Sequence, residues 1–269
     1  MRLLSLLIIS AALMCTLSAG CLQQPAGSET TEQVENQYPA SQFSYVEVQN
    51  TNGLTIVTGY DGDSVLLNAV KRTRFGAAEL ERVTIEGAVR EGTLILRTVA
   101  ADPLFPRVSV DMDVRVPASV LVGRVSSSNG EVRISNVAGD VEAGSANGAI
   151  TLINIAGYVS ATGANGAVDV RNATGIQGIT TSNGDIVADL RNIRSDITIS
   201  TANGGIRLAI APDINATLSV STANGAVTAE GIRLNTTVRE RTRIAGTLGS
   251  GGYHVAVSTQ NGNVAILPL

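Results

Sequence analysis

Apolar and polar residues alternate with a period of two through most of the chain, and this alternation predicts β-strands. The apolar positions keep a fixed distance from recurring Asn-Gly dipeptides. They stand two and four places after the glycine, as Ile150 and Leu152 do, and four and six places before the asparagine, as Ala161 and Val159 do. Because successive side chains of a strand point to opposite faces, we predict that these residues form the core.

The Asn-Gly dipeptides divide the second half of the chain into similar units. Successive dipeptides are 18, 18, 18, 20, 21 and 37 residues apart, and a second series of asparagines has spacings of 18, 18 and 20. Self-similarity at a period near 20 residues is typical of solenoids. The first series is Asn129, Asn147, Asn165, Asn183, Asn203, Asn224 and Asn261, and the second is Asn136, Asn154, Asn172 and Asn192.

Two unlike corners therefore alternate along the chain, a tight Asn-Gly corner and a looser Asn-x-x-Gly corner. Asn-Gly between alternating strands is also a strong signal for hairpins, so a meander of antiparallel strands is the alternative fold. A meander would place a tight turn at every strand end. Unlike corners at constant spacing favour an all-β parallel β-helix, or β-solenoid, with coils of roughly 18 residues. In that fold the asparagines of the first series stack as a structural corner ladder.

A further regularity lies on the other face of each predicted strand. Three places before the asparagines of the first series, the residues are small and mostly hydroxylated. They include Ser126, Thr162, Thr180, Ser200, Ser221 and Ser258. These positions are out of phase with the core, so we expect a flat outer face with few charges. Two interpretations stay open, since small side chains stack easily on closely spaced strands and such a face can also bind another protein, a polymer or a second copy.

The N-terminus has the pattern of an export signal. One arginine, an apolar run from residue 3 to residue 17 and then small residues indicate a secretory signal peptide over residues 1–20. The Leu-Ser-Ala-Gly sequence before Cys21 resembles the lipobox of exported lipoproteins, and this resemblance implies that Cys21 receives a lipid. We therefore expect anchoring in the cell membrane on its extracytoplasmic face. Residues 21–40, rich in Gln, Glu, Ser and Thr, are predicted to form a flexible tether after the lipidated cysteine.

The folded part divides into two sections. Residues 41–118 are strand-like but lack the regular repeat, so we predict an irregular β segment that closes the N-terminal end of the solenoid. Residues 119–269 are predicted to form the regular solenoid, with a C-terminal cap that begins at Leu234. After the early dipeptide Asn52-Gly53, the apolar Leu54 is out of phase with the later repeats.

Composition and charge predict neither catalysis nor nucleic-acid binding. One of the 19 basic residues lies in the signal peptide, which leaves 18 against 23 acidic residues and a net charge of −5, without a basic cluster for DNA or RNA. His254 is the only histidine, and the only cysteine outside the signal is the lipid attachment site. The carboxylate pairs Asp61/Asp63 and Asp111/Asp113 fit a turn and the wet side of a strand. We predict no catalytic residues, no cofactor and no metal site.

Three stretches together resemble a known family. They are VEVQNTNGLTIVTGYDGDSVLLNAVKRT, then VDMDVRVPASV directly before the first repeat, and the glycine-rich GTLGSGGYHVAVSTQNGNVAIL at the end. They are similar to the putative adhesin family of β-strand-repeat proteins, a domain of unknown function from bacterial and archaeal envelopes. The resemblance covers residues 44–269 and implies an all-β, solenoid-like fold at the cell envelope.

The sequence leads to one main functional hypothesis and two alternatives. We expect a non-enzymatic, lipid-anchored cell-envelope protein whose solenoid serves adhesion or binds an unknown envelope protein or surface polymer. The first alternative is a sensory or regulatory component of an envelope-stress pathway, since some members of the resembled family are linked to such systems. The second is a polysaccharide-active β-helix enzyme.

Overall fold

The computed structural model describes residues 28–101 and 107–269 of the chain. The structure is all-β, with 71% strand and 4% helix. Two short 3-10 helices cover Ala40–Gln42 and Ala77–Arg82. The strands are β1 Thr30–Pro39, β2 Tyr45–Asn52, β3 Thr55–Tyr60, β4 Ser64–Thr73, β5 Val83–Arg90, β6 Thr93–Ala100, β7 Val108–Pro117, β8 Leu121–Asn129, β9 Val132–Ala138, β10 Val141–Asn147, β11 Ile150–Asn165, β12 Val168–Asn183, β13 Ile186–Leu190, β14 Ile197–Asn203, β15 Ile206–Ile210, β16 Ala216–Asn224, β17 Val227–Ala229, β18 Leu234–Arg239, β19 Arg243–Leu248, β20 His254–Asn261 and β21 Val264–Pro268.

The strands build coils that each have two arms. Arm A is the strand segment that ends at an Asn-Gly corner, and arm B is the segment that follows the glycine. Arm A pairs in parallel and in register with arm A of the adjacent coils, so Asn147 lies opposite Asn129 on one side and Asn165 on the other. Arm B does the same, with Ile150 opposite Val132. The long strands β11 and β12 run through the Asn-x-x-Gly corner and contribute to both arms.

The core lies between the two arms and consists mainly of Val, Ile, Leu and Ala. The inward positions predicted from the alternation are confirmed, since Ile150, Leu152, Val159 and Ala161 are at most 1% exposed. Branched aliphatic side chains suit the narrow space between two pleated surfaces. Full burial of such a side chain contributes about 1.5–3 kcal/mol, so the stacked coils share one continuous source of stability.

The first coil is regular, although the sequence predicted an irregular segment there. Strands β2 and β3 pair in parallel with β8 and β9, which places Asn52 beside Asn129. Thr55 and Val57 hold the two inward positions and are fully buried. Leu54 lies outside the core. The phase difference in the sequence therefore reflects an inward threonine and an outward leucine rather than a break in the stack.

Antiparallel strands close the N-terminal end of the stack. On arm A, β6 pairs in parallel with β2, and β5 then adds antiparallel to β6. On arm B, β7 pairs in parallel with β3, and β4 and β1 follow in antiparallel order. A side chain on Gly87 of β5 would overlap the Tyr38 ring of β1, so the two outermost strands pack face to face across the end.

The predicted tether over residues 21–40 is wrong for its second half, which forms β1. All ten residues of β1 pair with β4. Val34 and Tyr38 are buried on the inner side, and the buried Lys71 ammonium of β4 forms an ion pair with Glu32 at 3.1 Å. The sequence concealed this strand because only two of its five inward positions are apolar. The first half of the predicted tether, up to residue 27, lies outside the described residues.

The last coils do not follow the order of the sequence. Strand β20 lies between β14 and β16, and β21 lies between β15 and β17. The chain first builds the outermost coil from β16 and β17, then the antiparallel hairpin β18–β19, and finally returns to fill the gap. The predicted cap over residues 234–269 is therefore correct only for the hairpin, because residues 254–268 form an internal coil.

Each Asn-Gly corner packs tightly against the glycine of an adjacent coil. A Cβ on Gly166 would overlap the carbonyl oxygen of Gly148, and the φ of Gly166 is +154°. In β12, the strand that follows this corner, a Cβ on Gly178 would lie 3.5 Å from the carbonyl oxygen of Thr198, which is an ordinary contact. The two glycines are thus a matched pair for testing the corner.

We expect Gly166→Ala to lower the free energy of unfolding by about 2–4 kcal/mol, because the backbone of two coils must separate to admit the methyl group. Gly178→Ala should change it by less than about 1 kcal/mol. Urea unfolding followed by circular dichroism measures both values. Equal effects of the two substitutions would contradict the stacked corner.

Candidate functional site

A continuous row of asparagine side chains, the asparagine ladder, runs along one edge of the coil stack. Six of its asparagines donate through Nδ2 to the Oδ1 of an asparagine in the adjacent coil, at 2.8–3.0 Å, and Asn129 accepts the bond at the end of the series. Asn52 is not part of this ladder, because its Nδ2 donates to the carbonyl oxygen of Val108 at 3.1 Å. The spatial order of the ladder is Asn129, Asn147, Asn165, Asn183, Asn203, Asn261 and Asn224.

Backbone hydrogen bonds beside this asparagine ladder run in the opposite direction. The Gly148 amide donates to the carbonyl oxygen of Asn165, and the Gly166 amide donates to that of Asn183, both at 2.8 Å. The Asn165 side chain meanwhile donates back to Asn147 at 2.9 Å. Each bond contributes about 0.5–1.5 kcal/mol, and bonds in a chain polarise one another. The ladder therefore fixes the register of neighbouring coils from both sides.

The Asn-x-x-Gly corner has a shorter ladder of its own. Asn172 donates to Asn154 at 2.7 Å, and Asn154 donates to Asn136 at 2.9 Å. Their φ angles lie between 51° and 57°, in the left-handed region that asparagine tolerates better than most residues. At Asn192 the side chain instead accepts a bond from the Ile193 amide, so the regular geometry of this corner ends there.

The outward face of arm A is free of charged residues over five successive coils. The outward positions stand one, three and five places before the ladder asparagines, and from Ser160 onward the fifteen residues there are Ser, Thr, Ala, Gly or Gln. The predicted face residues form one row across adjacent strands. In spatial order this row is Ser126, Gly144, Thr162, Thr180, Ser200, Ser258 and Ser221.

Charged residues border this face and also occur on the opposite one. On arm A, Arg124 and Glu142 form an ion pair at 2.8 Å before the uncharged coils, and Arg243 of β19 follows them. Several coils carry charged residues on the outward side of arm B. These residues include Asp169, Arg171, Asp185, Asp189 and Arg207. The two faces of the rod thus differ in charge although they share one core.

A second row of hydroxyl groups lies inside the Asn-Gly corner, and the sequence reasoning missed it. Two places before the ladder asparagines, buried hydroxyls donate to corner glycine carbonyls of the adjacent coil, at 2.8–3.2 Å. The recurrence of Ser or Thr at a core-facing position was the available signal. The donors are Ser145, Thr181, Thr201, Thr259 and Thr222.

Ser127 occupies the same place in the coil of β8 but is bonded differently. Its Oγ is buried and has no hydrogen-bond partner among the described residues. The equivalent glycine carbonyl, that of Gly53, accepts from the Asn50 side chain instead, at 3.4 Å. The first coil has thus replaced the hydroxyl contact with an amide contact.

The carboxylates considered from the sequence have structural contacts or lie in a turn. Asp111 accepts a bond from the Leu54 amide at 3.0 Å and pairs with Arg72 at 2.8 Å, so both of its oxygens brace the first coil. Asp61 and Asp63 are exposed between β3 and β4. The structure therefore does not bring these two pairs into one site.

Other predicted positions are also separate from one another. His254 is exposed at the start of β20, where its amide donates to Asp196 at 2.8 Å. The described residues contain no group of three or more His, Cys, Asp or Glu side chains that could hold a metal ion. In the same part of the chain, no helix is long and apolar enough to cross a membrane. The predicted lipid attachment site Cys21 and the signal peptide lie outside the described residues.

A charged cluster lies at the Asn-x-x-Gly corner. The Arg194 guanidinium pairs with Asp140 at 2.6 Å and lies 4.1 Å from the centre of the Tyr158 ring. Burial raises the pKa of the Asp140 carboxyl, but the bonds from the Tyr158 amide and from Arg194 outweigh burial, so this pKa lies below its ordinary value. Arg194 thereby links loop 191–196 to coils two and three positions away.

Comparison with known proteins matches this chain to a family model and to solved structures. The model described as Toastrack DUF4097 matches residues 108–267, more than half of the chain. A putative adhesin from Bacteroides fragilis is 13% identical with a TM-score of 0.41, over 88% of this chain and 97% of that one. A putative cell adhesion protein from Clostridium sporogenes is 11% identical with a TM-score of 0.38, over 89% and 100%. No curated protein matches the chain.

The inner hydroxyl row generates a matched pair of substitutions. Ser145→Ala removes a donor at 2.9 Å from the Gly130 carbonyl, so we expect the free energy of unfolding to fall by about 1–2 kcal/mol. Ser127→Ala removes a buried hydroxyl without a partner among the described residues, so stability should stay unchanged or rise. Urea denaturation of both variants measures the difference. A larger loss from Ser127→Ala would contradict the hydrogen-bonding pattern.

Proposed function

The chain belongs to the Toastrack DUF4097 family, and we propose that it is a non-enzymatic, lipid-anchored cell-envelope protein that binds a partner protein. In this proposal the coils are a parallel β-helix, and the outward face of arm A is the contact surface. The observation that carries the proposal is the difference in charge between the two faces. Fifteen outward positions of arm A carry no charge, whereas three of the same five coils present aspartates or arginines on arm B.

The distribution of charge on arm A fits a protein interface. Interface cores are depleted in charged residues and surrounded by a polar rim. The uncharged coils of arm A correspond to such a core, and the Arg124–Glu142 pair and Arg243 correspond to the rim. The two corner ladders hold the strands in fixed register. A rigid face loses little conformational entropy when it binds, which favours association.

The size of the face is sufficient for the proposed contact when its rim takes part. Five coils at about 4.8 Å and three outward residues at about 6.7 Å spacing cover roughly 500 Å². A standard interface buries about 800 Å² on each partner. The charged rows on both sides of the uncharged coils would supply the remainder.

The anchor is supported by the lipobox-like sequence before Cys21. Residues 22–29 separate this cysteine from β1. Eight residues span at most about 29 Å when fully extended. A lipidated Cys21 would therefore hold the β1 end of the coil stack close to the membrane and leave arm A accessible from the side.

Lipidation at this position is tested by comparing the two cysteines. Cys21→Ser should abolish metabolic labelling with an alkyne-bearing fatty acid and release the protein from the membrane fraction. Cys15→Ser, inside the predicted signal peptide, should leave labelling and fractionation unchanged. Labelling that persists in Cys21→Ser would contradict the anchor.

The contact face is tested by photo-crosslinking in cells that carry the full chain. A benzoylphenylalanine at position 162, on arm A, should give a discrete protein adduct, whereas the same group at position 151, on arm B, should give none. Ser200→Lys should lower the yield at least about tenfold, since a buried unpaired charge costs more than about 1.4 kcal/mol. Adducts of equal yield from both arms, or adducts only with a polymer, would overturn the proposal.

A further inference from the structure

A recess opens at the Asn-x-x-Gly corner where the regular repeat ends. Three connections enclose it, between β13 and β14, between β15 and β16, and between β19 and β20. Its volume is about 590 Å³, within the range of about 300–1,000 Å³ that is typical of small-ligand sites. The polar and aromatic residues that line it are Arg191, Asn192, Asp196, Asp213, Asn215 and Tyr253.

The recess is a consequence of longer loops. In the regular coils, β11 and β12 cross this corner within a continuous strand, which leaves no space between adjacent coils. Residues 191–196, 211–215 and 249–253 instead stand outside the strands. Because these loops come from the three coils at the C-terminal end of the stack, including the inserted coil, their side chains face one shared space.

Aromatic side chains are concentrated at this corner. Residues 119–269 contain two aromatic side chains, Tyr158 and Tyr253, and both belong to the Asn-x-x-Gly edge. Tyr158 is covered by the Arg194 guanidinium. Tyr253, in contrast, is 49% exposed and lines the recess. An exposed ring with a hydroxyl tip combines an apolar surface with a hydrogen-bonding group.

The polar groups around Tyr253 are partly committed to holding the loops. One oxygen of Asp196 accepts a hydrogen bond from the His254 amide at 2.8 Å, and the second oxygen has no hydrogen-bond partner in the part of the chain that the structure describes. Asn215 fixes the last loop through its Oδ1, which accepts from the amide and hydroxyl of Ser250 at 2.8 and 3.1 Å. The recess is therefore braced by its own side chains. It does not need a ligand to form.

The charges in the recess select among ligand classes. Two carboxylates, Asp196 and Asp213, and one guanidinium, Arg191, line the recess, so its net charge is negative and disfavours a polyanion. Carboxylates accept hydrogen bonds from hydroxyl groups, and guanidinium and amide groups donate to them. A molecule with many neutral hydroxyls and an apolar C–H face satisfies all of these groups and also stacks on the tyrosine ring.

We propose that this recess binds a short segment of a neutral glycan. Tyr253 lies under one sugar ring, Asp196 and Asp213 accept hydrogen bonds from sugar hydroxyls, and Arg191 donates to them. The site lies on the Asn-x-x-Gly edge rather than on the arm A face. It is therefore independent of the protein contact proposed above, and photo-crosslinking at position 162 can fail while this site remains.

Saturation-transfer NMR on the full chain, purified in detergent, tests the site with defined probes. The neutral probes are cellohexaose, maltohexaose, mannohexaose and chitohexaose at ~1 mM, and the polyanion is polygalacturonate. We expect at least one neutral hexasaccharide to bind. Tyr253→Ala should weaken this binding about tenfold and Asp213→Asn several-fold, whereas Tyr45→Ala, a matched tyrosine that is 47% exposed on β2, should leave it unchanged.

Three results would overturn the proposal. They are the absence of transfer to every neutral hexasaccharide, stronger binding of polygalacturonate than of any neutral probe, and equal losses in Tyr253→Ala and Tyr45→Ala. Asp213→Asn exchanges one exposed side chain for another of the same shape, so it should fold and keep the test decisive if Tyr253→Ala is unstable.

Discussion

The hydrogen bonds between adjacent Asn-Gly corners set the geometry on which the rest of the molecule depends. Each corner needs glycine, because the carbonyl oxygen of the adjacent coil occupies the space of a Cβ, as at Gly166. Each corner also needs a side chain that donates in one direction and accepts in the other, as Asn165 does. These two demands place asparagine above asparagine along seven coils. Register is thereby fixed without a large aromatic core.

The same constraint explains why the two candidate sites lie where they do. Fixed register turns single outward positions into rows, so small residues three places before the asparagines become a flat face. The Asn-Gly corner leaves no room for inserted residues, so insertions occur at the Asn-x-x-Gly corner. There the Asn192 side chain does not continue the asparagine ladder, and loops 191–196, 211–215 and 249–253 line the recess.

Much of this architecture could be predicted from spacing, and the remainder depends on contacts between distant segments. The core positions follow from alternation, as Ile150 and Leu152 show. Strand β1 could not be recognised, since Val34 and Tyr38 are its only apolar inward residues. The order of the last coils was also hidden, because Asn224 and Asn261 are equally suitable neighbours for Asn203. The recess joins three loops that no local pattern connects.

Pairwise cysteine crosslinking across the last coils tests the stacking most directly. In a chain with serine at positions 15 and 21, Ser200→Cys and Ser258→Cys should form a disulfide, because these residues are partners on adjacent strands about 4.8 Å apart. Ser200→Cys with Ser221→Cys should not, since the two residues lie two strands apart. Crosslinking of 200 to 221 without crosslinking of 200 to 258 would contradict the stacked, inserted arrangement of the coils.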